Sequence, residues 1–139
     1  VITNFAGKIQ LSMSETNNLM ETLGIEFKSV SKGKVEAIMP VHRHVCQPFG
    51  ILHGGATIAL AESVAGEGSL FLCNEHEIPV GTQVSCNHIS AAKVGEVVHA
   101  KGTLIHFGAT THIWNVDINS SEGRLISSAR ISNMILKQK

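Results

Sequence analysis

The run Gly54–Leu72 constrains this chain more than any other stretch. It reads Gly-Gly-Ala-Thr-Ile-Ala-Leu-Ala-Glu-Ser-Val-Ala-Gly-Glu-Gly-Ser-Leu-Phe-Leu, with no proline and no turn signal inside it. As a helix, at about 1.5 Å per residue, it is roughly 27 Å long. It is apolar or small nearly all round, the pattern of a buried helix. Gly, Ala and Ser in such density cost helix propensity. They make sense where another backbone packs very close. The rest of the chain must therefore supply a cover.

The flanking sequence supplies strands. The three prolines, Pro40, Pro48 and Pro79, fall where the pattern changes. A short first helix is predicted over Ser14–Leu23, with Ser14 as N-cap, Glu15 in the first turn, Gly24 at C′ and an apolar edge of Leu19, Met20 and Leu23. Strands follow over 25–31 and 34–40, joined by a turn at Ser31-Lys32-Gly33-Lys34, and 41–53 reads as a loop. After Pro79 the apolar period becomes two. Strands are predicted over 80–91, 95–107, 110–119 and 124–136, with Trp114, Val116 and Ile118 on one face. Gly108 and Ser120-Ser121-Glu122-Gly123 supply turns. The order α-β-β-α-β-β-β-β predicts an α+β fold over residues 1–139 as one domain. In it, a curved antiparallel sheet of about six strands wraps around one long central helix.

Charge excludes several function classes. Lys plus Arg and Asp plus Glu are 11 each, so the net charge is zero. That argues against a nucleic-acid partner bound by phosphate neutralisation and against a polybasic membrane-surface module. No apolar run reaches the ~20 residues of a bilayer span, and Val1–Lys8 has no secretion-signal pattern. Charged residues are only 16% and hydrophobic ones 43%, against about a quarter charged in ordinary domains. Part of the surface is therefore expected to be covered by another copy of the chain. Cys46, Cys73 and Cys86 are odd in number and lack CxxC spacing. They read as free thiols of a cytoplasmic protein.

Among residues able to carry chemistry, Glu62 stands out. Its helix neighbours at three and four residues are Ile58, Ala59, Ala65 and Gly66. None offers a charge, so the pattern predicts a buried, unpaired carboxylate, which is costly unless used. The competing reading is an interface Glu paired with a cation from elsewhere in the fold. His53-Gly54-Gly55 stands where a loop enters the helix. Helix-start amides are unpaired and carry partial positive charge, and Gly54 lets a ligand oxygen approach closely. Such an amide suits an oxyanion hole, although glycines there also serve tight helix entry. Gln47, in the loop before, is able to donate to a carbonyl while accepting from water. His42, His44, Cys46 and His53 lie within twelve residues, yet no second cluster has metal-ligand spacing, so no metal site is expected. His88, His99, His106 and His112 fall on predicted strands at positions read as half-exposed. No P-loop, GxGxxG or GxSxG occurs; Lys93, Arg124 and Arg130 are scattered phosphate candidates.

The string Gln47-Pro48-Phe49-Gly50-Ile51-Leu52-His53-Gly54-Gly55-Ala56, followed by Leu60-Ala61-Glu62-Ser63, resembles the hotdog-fold acyl-CoA thioesterases of the PaaI-like group, especially the branch acting on aromatic acyl-CoA esters. The likeness runs from about Ser14 to Leu136 and includes Asn87-His88, His106-Phe107-Gly108, Trp114 and Glu122-Gly123-Arg124-Leu125. The resemblance implies hydrolysis of acyl-CoA with Glu62 as the catalytic carboxylate, nucleophile or general base. It implies the Gly54 N–H as the group polarising the carbonyl, and Gln47 and His53 as positioning groups. It implies Gly55, Ser63, Gly66, Asn87, His88, Ser90 and His106 on the substrate-binding side. It further implies no cofactor beyond the CoA of the substrate, a site spanning two subunits, and a tetramer built as a dimer of dimers. Two departures bear on this: Ser90 stands where this branch often has a basic residue, and Gly66 where it often has Ser. His42 and His44 match no feature of the group. Two rival readings are a non-catalytic acyl-CoA binder and a hotdog dehydratase. Release of CoA thiol separates hydrolysis from both.

Overall fold

The computed structural model describes residues 18–138 and the backbone of Ile2–Thr3 and Ile9–Gln10. Those two short pieces, β1 (Ile2–Thr3) and β2 (Ile9–Gln10), pair antiparallel. Next come α1 (Leu19–Leu23), β3 (Glu26–Ser31), β4 (Lys34–Pro40), a 3-10 turn at Arg43–Val45, and α2 (Gly54–Leu72). The chain ends with β5 (Glu77–His88), β6 (Val97–Phe107), β7 (Thr111–Ser120) and β8 (Leu125–Lys137). The sheet order is β3-β4-β6-β7-β8-β5, antiparallel throughout. Helix α2 touches all six strands, so the sheet curves around it as expected.

Several boundaries differ from the sequence reading, among them the end of β5, at His88 rather than 91; two of the differences have a clear physical reason. Asn18, not Ser14, caps α1: its backbone is extended and its Oδ1 accepts from the Glu21 N–H at 3.0 Å. A helix cannot run through an extended residue; Ser14 and Glu15 lie outside the described residues. Gly24 closes α1 in the left-handed region, at φ 74°, as predicted. Strand β5 starts at Glu77 and runs through Pro79. It lies at the sheet edge, where a proline's missing N–H costs no ladder bond.

The core lies between α2 and the inner face of the sheet. Burial alternates along β7, with Trp114, Val116 and Ile118 fully inside. They meet Leu60, Ala61, Val64 and Ala65 of α2, with Val35, Ala37 and Met39 of β4 in the same cluster. The helix is buried on one side only: its buried residues recur at three- and four-residue spacing, Thr57, Leu60, Ala61, Val64, Ala65, Gly68 and Ser69. One sheet covers one side; Glu62, Ser63, Gly66 and Glu67 lie on the other.

Close approach explains the small residues. A Cβ on Gly68 would sit 2.5 Å and 2.6 Å from the Trp114 ring and 2.9 Å from Val35. Both neighbours are fully buried and cannot retreat. Overpacking of this kind costs about 1–3 kcal/mol. Gly68→Ala is therefore expected to lower the urea-unfolding free energy by that amount, despite alanine's better helix propensity. Unchanged stability would mean the ring has room to move.

A polar group also sits under α2. Ser69 Oγ accepts from Trp114 Nε1–H at 2.9 Å and Asn133 Nδ2–H at 3.0 Å, and lies 2.9 Å from His112 Nδ1. With both acceptor positions filled, its own proton points to His112 Nδ1. This corrects the half-exposed reading of His112, which is buried. Burial pushes its imidazole below the ordinary 6.5, opposed by the nearby Glu77 charge. Neutrality suits a ring that accepts from Ser69.

Candidate active site

The loop before α2 folds into a small hairpin that places its polar groups. Cys46 bridges to Leu52, and the His53 N–H donates to Val45 O at 3.0 Å. At the tip, the Gly50 N–H donates to Gln47 O at 3.0 Å and the Gln47 N–H to Ile51 O at 2.9 Å. Gly50 takes the left-handed region, at φ 82°. Gln47 Oε1 accepts from the Phe49 N–H. Its side-chain NH2 has no acceptor among the described residues, so the turn leaves that donor pair free.

His53 caps α2. Its Nδ1 accepts from the Gly55 N–H at 2.8 Å, which puts the ring proton on Nε2. The Ala56 and Thr57 N–H groups donate to His53 O. Gly55 is thus occupied, and the Gly54 N–H has no acceptor among the described residues. The His88 ring stands against Gly54: a Cβ there would lie 2.7 Å from His88 Nε2. His88 Nδ1 is held 2.8 Å from Ser127 Oγ. Asn87 is exposed beside it, paired in register with Ser128.

Ser90 is placed in a loop staple. Its Oγ donates to Leu125 O at 2.6 Å and accepts from Arg124 Nη1 at 2.9 Å. Arg124 also reaches Ala91 O at 2.7 Å and Glu96 at 3.3 Å, which removes it from the free phosphate candidates. Lys93 and Arg130 remain exposed. His42 and His44 stack on each other, ring centroids 5.3 Å apart. Among the described residues no group of three or more His, Cys, Asp or Glu side chains is placed to hold a metal ion. No described helix is long and apolar enough to cross a membrane.

Glu62 corrects the expectation of a buried carboxylate: it is exposed in the single chain. Its Oε1 leans over β5 and lies 3.4 Å from where a Cβ of Gly81 would be. Ser63, beside it, turns its hydroxyl back to Ala59 O at 2.7 Å, and Gly66 has no neighbour within 4 Å of its would-be Cβ. The register places His106 opposite Ile113, at the Glu62 end of the sheet.

The expected site residues therefore form two groups. Gln47, His53, Gly54 and Gly55 belong to the entry of α2, where His88 stands against Gly54 with Asn87 next to it in sequence; Glu62, Ser63 and Gly66 lie further along α2, and His106 is apart from both on β6, three strands from β5 in the sheet order. From Gly81 to His88 is about 23 Å along β5 at ~3.3 Å per residue. From Gly54 to Glu62 is about 12 Å along α2.

The carboxylate that burial does perturb is Glu67, half-buried on α2 without an ion pair among the described residues. Burial raises its pKa above the ordinary 4.5. The folded chain then holds this proton more tightly than the unfolded chain. That stability is present below 4.5 and lost as pH rises through the folded value. Glu67→Gln is expected to raise the melting temperature at pH 7, with the gap closing by about pH 4. A gap independent of pH would contradict it.

Residues 49–127 match the family model described as the thioesterase superfamily. The chain is 38% identical over 122 residues to 1,4-dihydroxy-2-naphthoyl-CoA hydrolase of Escherichia coli, covering 86% of this chain and 87% of that one. Among solved structures it matches a thioesterase of Haemophilus influenzae at TM-score 0.83 and 32% identity, covering 88% of this chain and 85% of the other. It also matches a hypothetical thioesterase of Streptococcus pneumoniae solved with coenzyme A, at TM-score 0.76 and 28% identity, covering 83% and 90%.

Proposed function

The chain belongs to the thioesterase superfamily and has the hotdog fold of an acyl-CoA thioester hydrolase, and from that premise we propose that it cleaves aromatic acyl-CoA esters at a site assembled from two copies of the chain. The aromatic preference is supported by two relatives named as 1,4-dihydroxy-2-naphthoyl-CoA hydrolases, from Escherichia coli and, at 36% identity, from Listeria monocytogenes.

The observation that carries the two-copy reading is the separation of Glu62 from Gly54. A base must lie within hydrogen-bond reach of the group it activates, directly or through one water. An oxyanion donor must lie about 3 Å from the carbonyl oxygen. Groups ~12 Å apart on one helix cannot both serve one carbonyl. A second copy resolves this if its helix start meets the first copy's Glu62. The half-exposed side of α2, where Glu62 leans over the edge strand β5, offers a surface for it. Two such dimers make the tetramer.

In this arrangement the thioester oxygen docks on the Gly54 N–H, at the positive end of α2. The Gln47 NH2 holds the acyl portion, and the His53 cap keeps the amide aimed. Glu62 of the other copy drives acyl transfer, as nucleophile or as base to a water. CoA leaves as a thiolate, which needs no strong acid. The test is thiol release from a panel of aryl- and alkyl-CoAs. Aryl esters are expected to show the highest kcat/KM. A preference for alkyl chains overturns the aromatic assignment, and CoA-ester binding without thiol release overturns the hydrolytic one.

A further inference from the structure

We propose that Asn133 is a catalytic residue, holding the attacking water jointly with Glu62 of the same chain above Gly81. The proposal rests on the reading of Glu62 as the reaction's carboxylate and decides between its two roles.

Asn133 lies on β8 and is 2% exposed. Its Nδ2 donates to Ala65 O at 3.2 Å and to Ser69 Oγ at 3.0 Å. A backbone carbonyl only accepts, so the amide nitrogen must be the atom facing Ala65. The carboxamide is therefore locked, and Oδ1 points the other way. No donor among the described residues reaches that oxygen. It lies 3.8 Å from the position a Cβ of residue 81 would occupy. Glu62 Oε1 lies 3.4 Å from the same position.

Both oxygens thus lie within 4 Å of the space left by one glycine, and both accept. A buried amide oxygen without a donor is unfavourable. Whatever sits between the two must donate twice. Glu62 receives nothing from its helix neighbours Ile58, Ala59, Ala65 and Gly66, which carry no polar side chain. Strand β5 is irregular at this point: its register shifts between Gly81 and Gln83, and Thr82 Oγ1 turns to Ser132 O at 3.1 Å. Gly81 is exposed in the single chain, and only the Glu62 and Asn133 side chains come within 4 Å of its would-be Cβ. Water has the donor count this requires.

The chemistry follows from the hydrogen bonds. One O–H points to Asn133 Oδ1 and stays there; the other points to Glu62. The oxygen lone pair is then directed away from both, toward a docked thioester. Water oxygen bonds to the carbonyl carbon as its proton passes to Glu62. The C–S bond breaks with its electron pair going to sulfur, the thiolate takes up a proton, and Glu62 returns its own to solvent. The products are the carboxylic acid and CoA. Glu62 acts as base, and no anhydride forms.

Gly81→Ala is the principal test. Its new Cβ makes only ordinary contact with Glu62, and Gly81 is not in the left-handed region, so the fold accepts it. The variant is compared with Asn133→Ala and Glu62→Gln on the best aryl-CoA, alongside melting temperatures. Gly81→Ala is expected to keep its melting temperature and its KM within about twofold while kcat falls about 10²-fold. Asn133→Ala is expected to lose kcat similarly, whatever it does to stability. A crystal structure of the wild type should place an ordered water within about 3.2 Å of both oxygens. Unchanged kcat in Gly81→Ala, a loss confined to KM, or no shared water overturns the proposal and leaves the thioesterase reading intact. Full activity in Glu62→Gln overturns that reading instead.

Discussion

Glu62→Gln is expected to lower kcat for the best acyl-CoA substrate by about 10³-fold, with KM and melting temperature little changed. The magnitude is that of removing a general base, about 10²–10⁴-fold. Gln keeps the length and shape of Glu but cannot take the proton. Glu62 is exposed and packs only lightly over Gly81, so nothing in the core depends on its charge. A stability loss is therefore not available to explain lost activity. The check is steady-state thiol release with matched thermal unfolding. Equal losses in kcat and kcat/KM are the pattern of an interaction made only in the transition state. A rise in KM alone would make Glu62 a binding group.

Gly54→Ala is expected to cost about 10²-fold in kcat, the scale of losing one oxyanion donor. The reason is local. The new Cβ meets His88 Nε2 at 2.7 Å, Cε1 at 3.1 Å and Cδ2 at 3.3 Å. That ring is tied to Ser127 through Nδ1, so it does not simply swing away. The start of α2 shifts instead and carries the N–H off its line to the carbonyl. Gly54→Ala combined with His88→Ala relieves the contact and should recover a measurable part of kcat. The coupling between the two sites is read from a double-mutant cycle. Simple additivity would mean that Gly54 matters for some reason other than its fit against His88.

The central helix was legible to its last residue because its signals are local. His53 caps it, and the glycines and alanines mark where Trp114 and Val35 approach. The order of strands after Pro79 followed from alternation and short turns. The start of β5 did not, because a proline is tolerated in a strand only at a sheet edge, and edge position is a property of the whole sheet. The exposure of Glu62 is hidden from the sequence for a similar reason. A helix small and apolar on all sides reads as wrapped, whereas this sheet covers one side. The free Gly54 N–H follows from helix-end chemistry alone. His88 is set beside it by the register of β5 against β8, which periodicity does not reveal. Asn133 gave no signal at all. A polar residue on a strand reads as solvent-facing, and its partners Ala65 and Ser69 are distant in sequence.

Subunit mixing tests most directly whether two copies of the chain complete one site. Glu62→Gln and Gly54→Ala proteins, each nearly inactive alone, are unfolded, mixed in equal amounts and refolded together. A mixed dimer holds one site with both groups intact, so random pairing should restore about a quarter of wild-type activity. Restoration to that level is the predicted result. Activity no higher than the average of the two variants, with mixed dimers shown to form, would place Glu62 and Gly54 in one protomer's site and contradict the account.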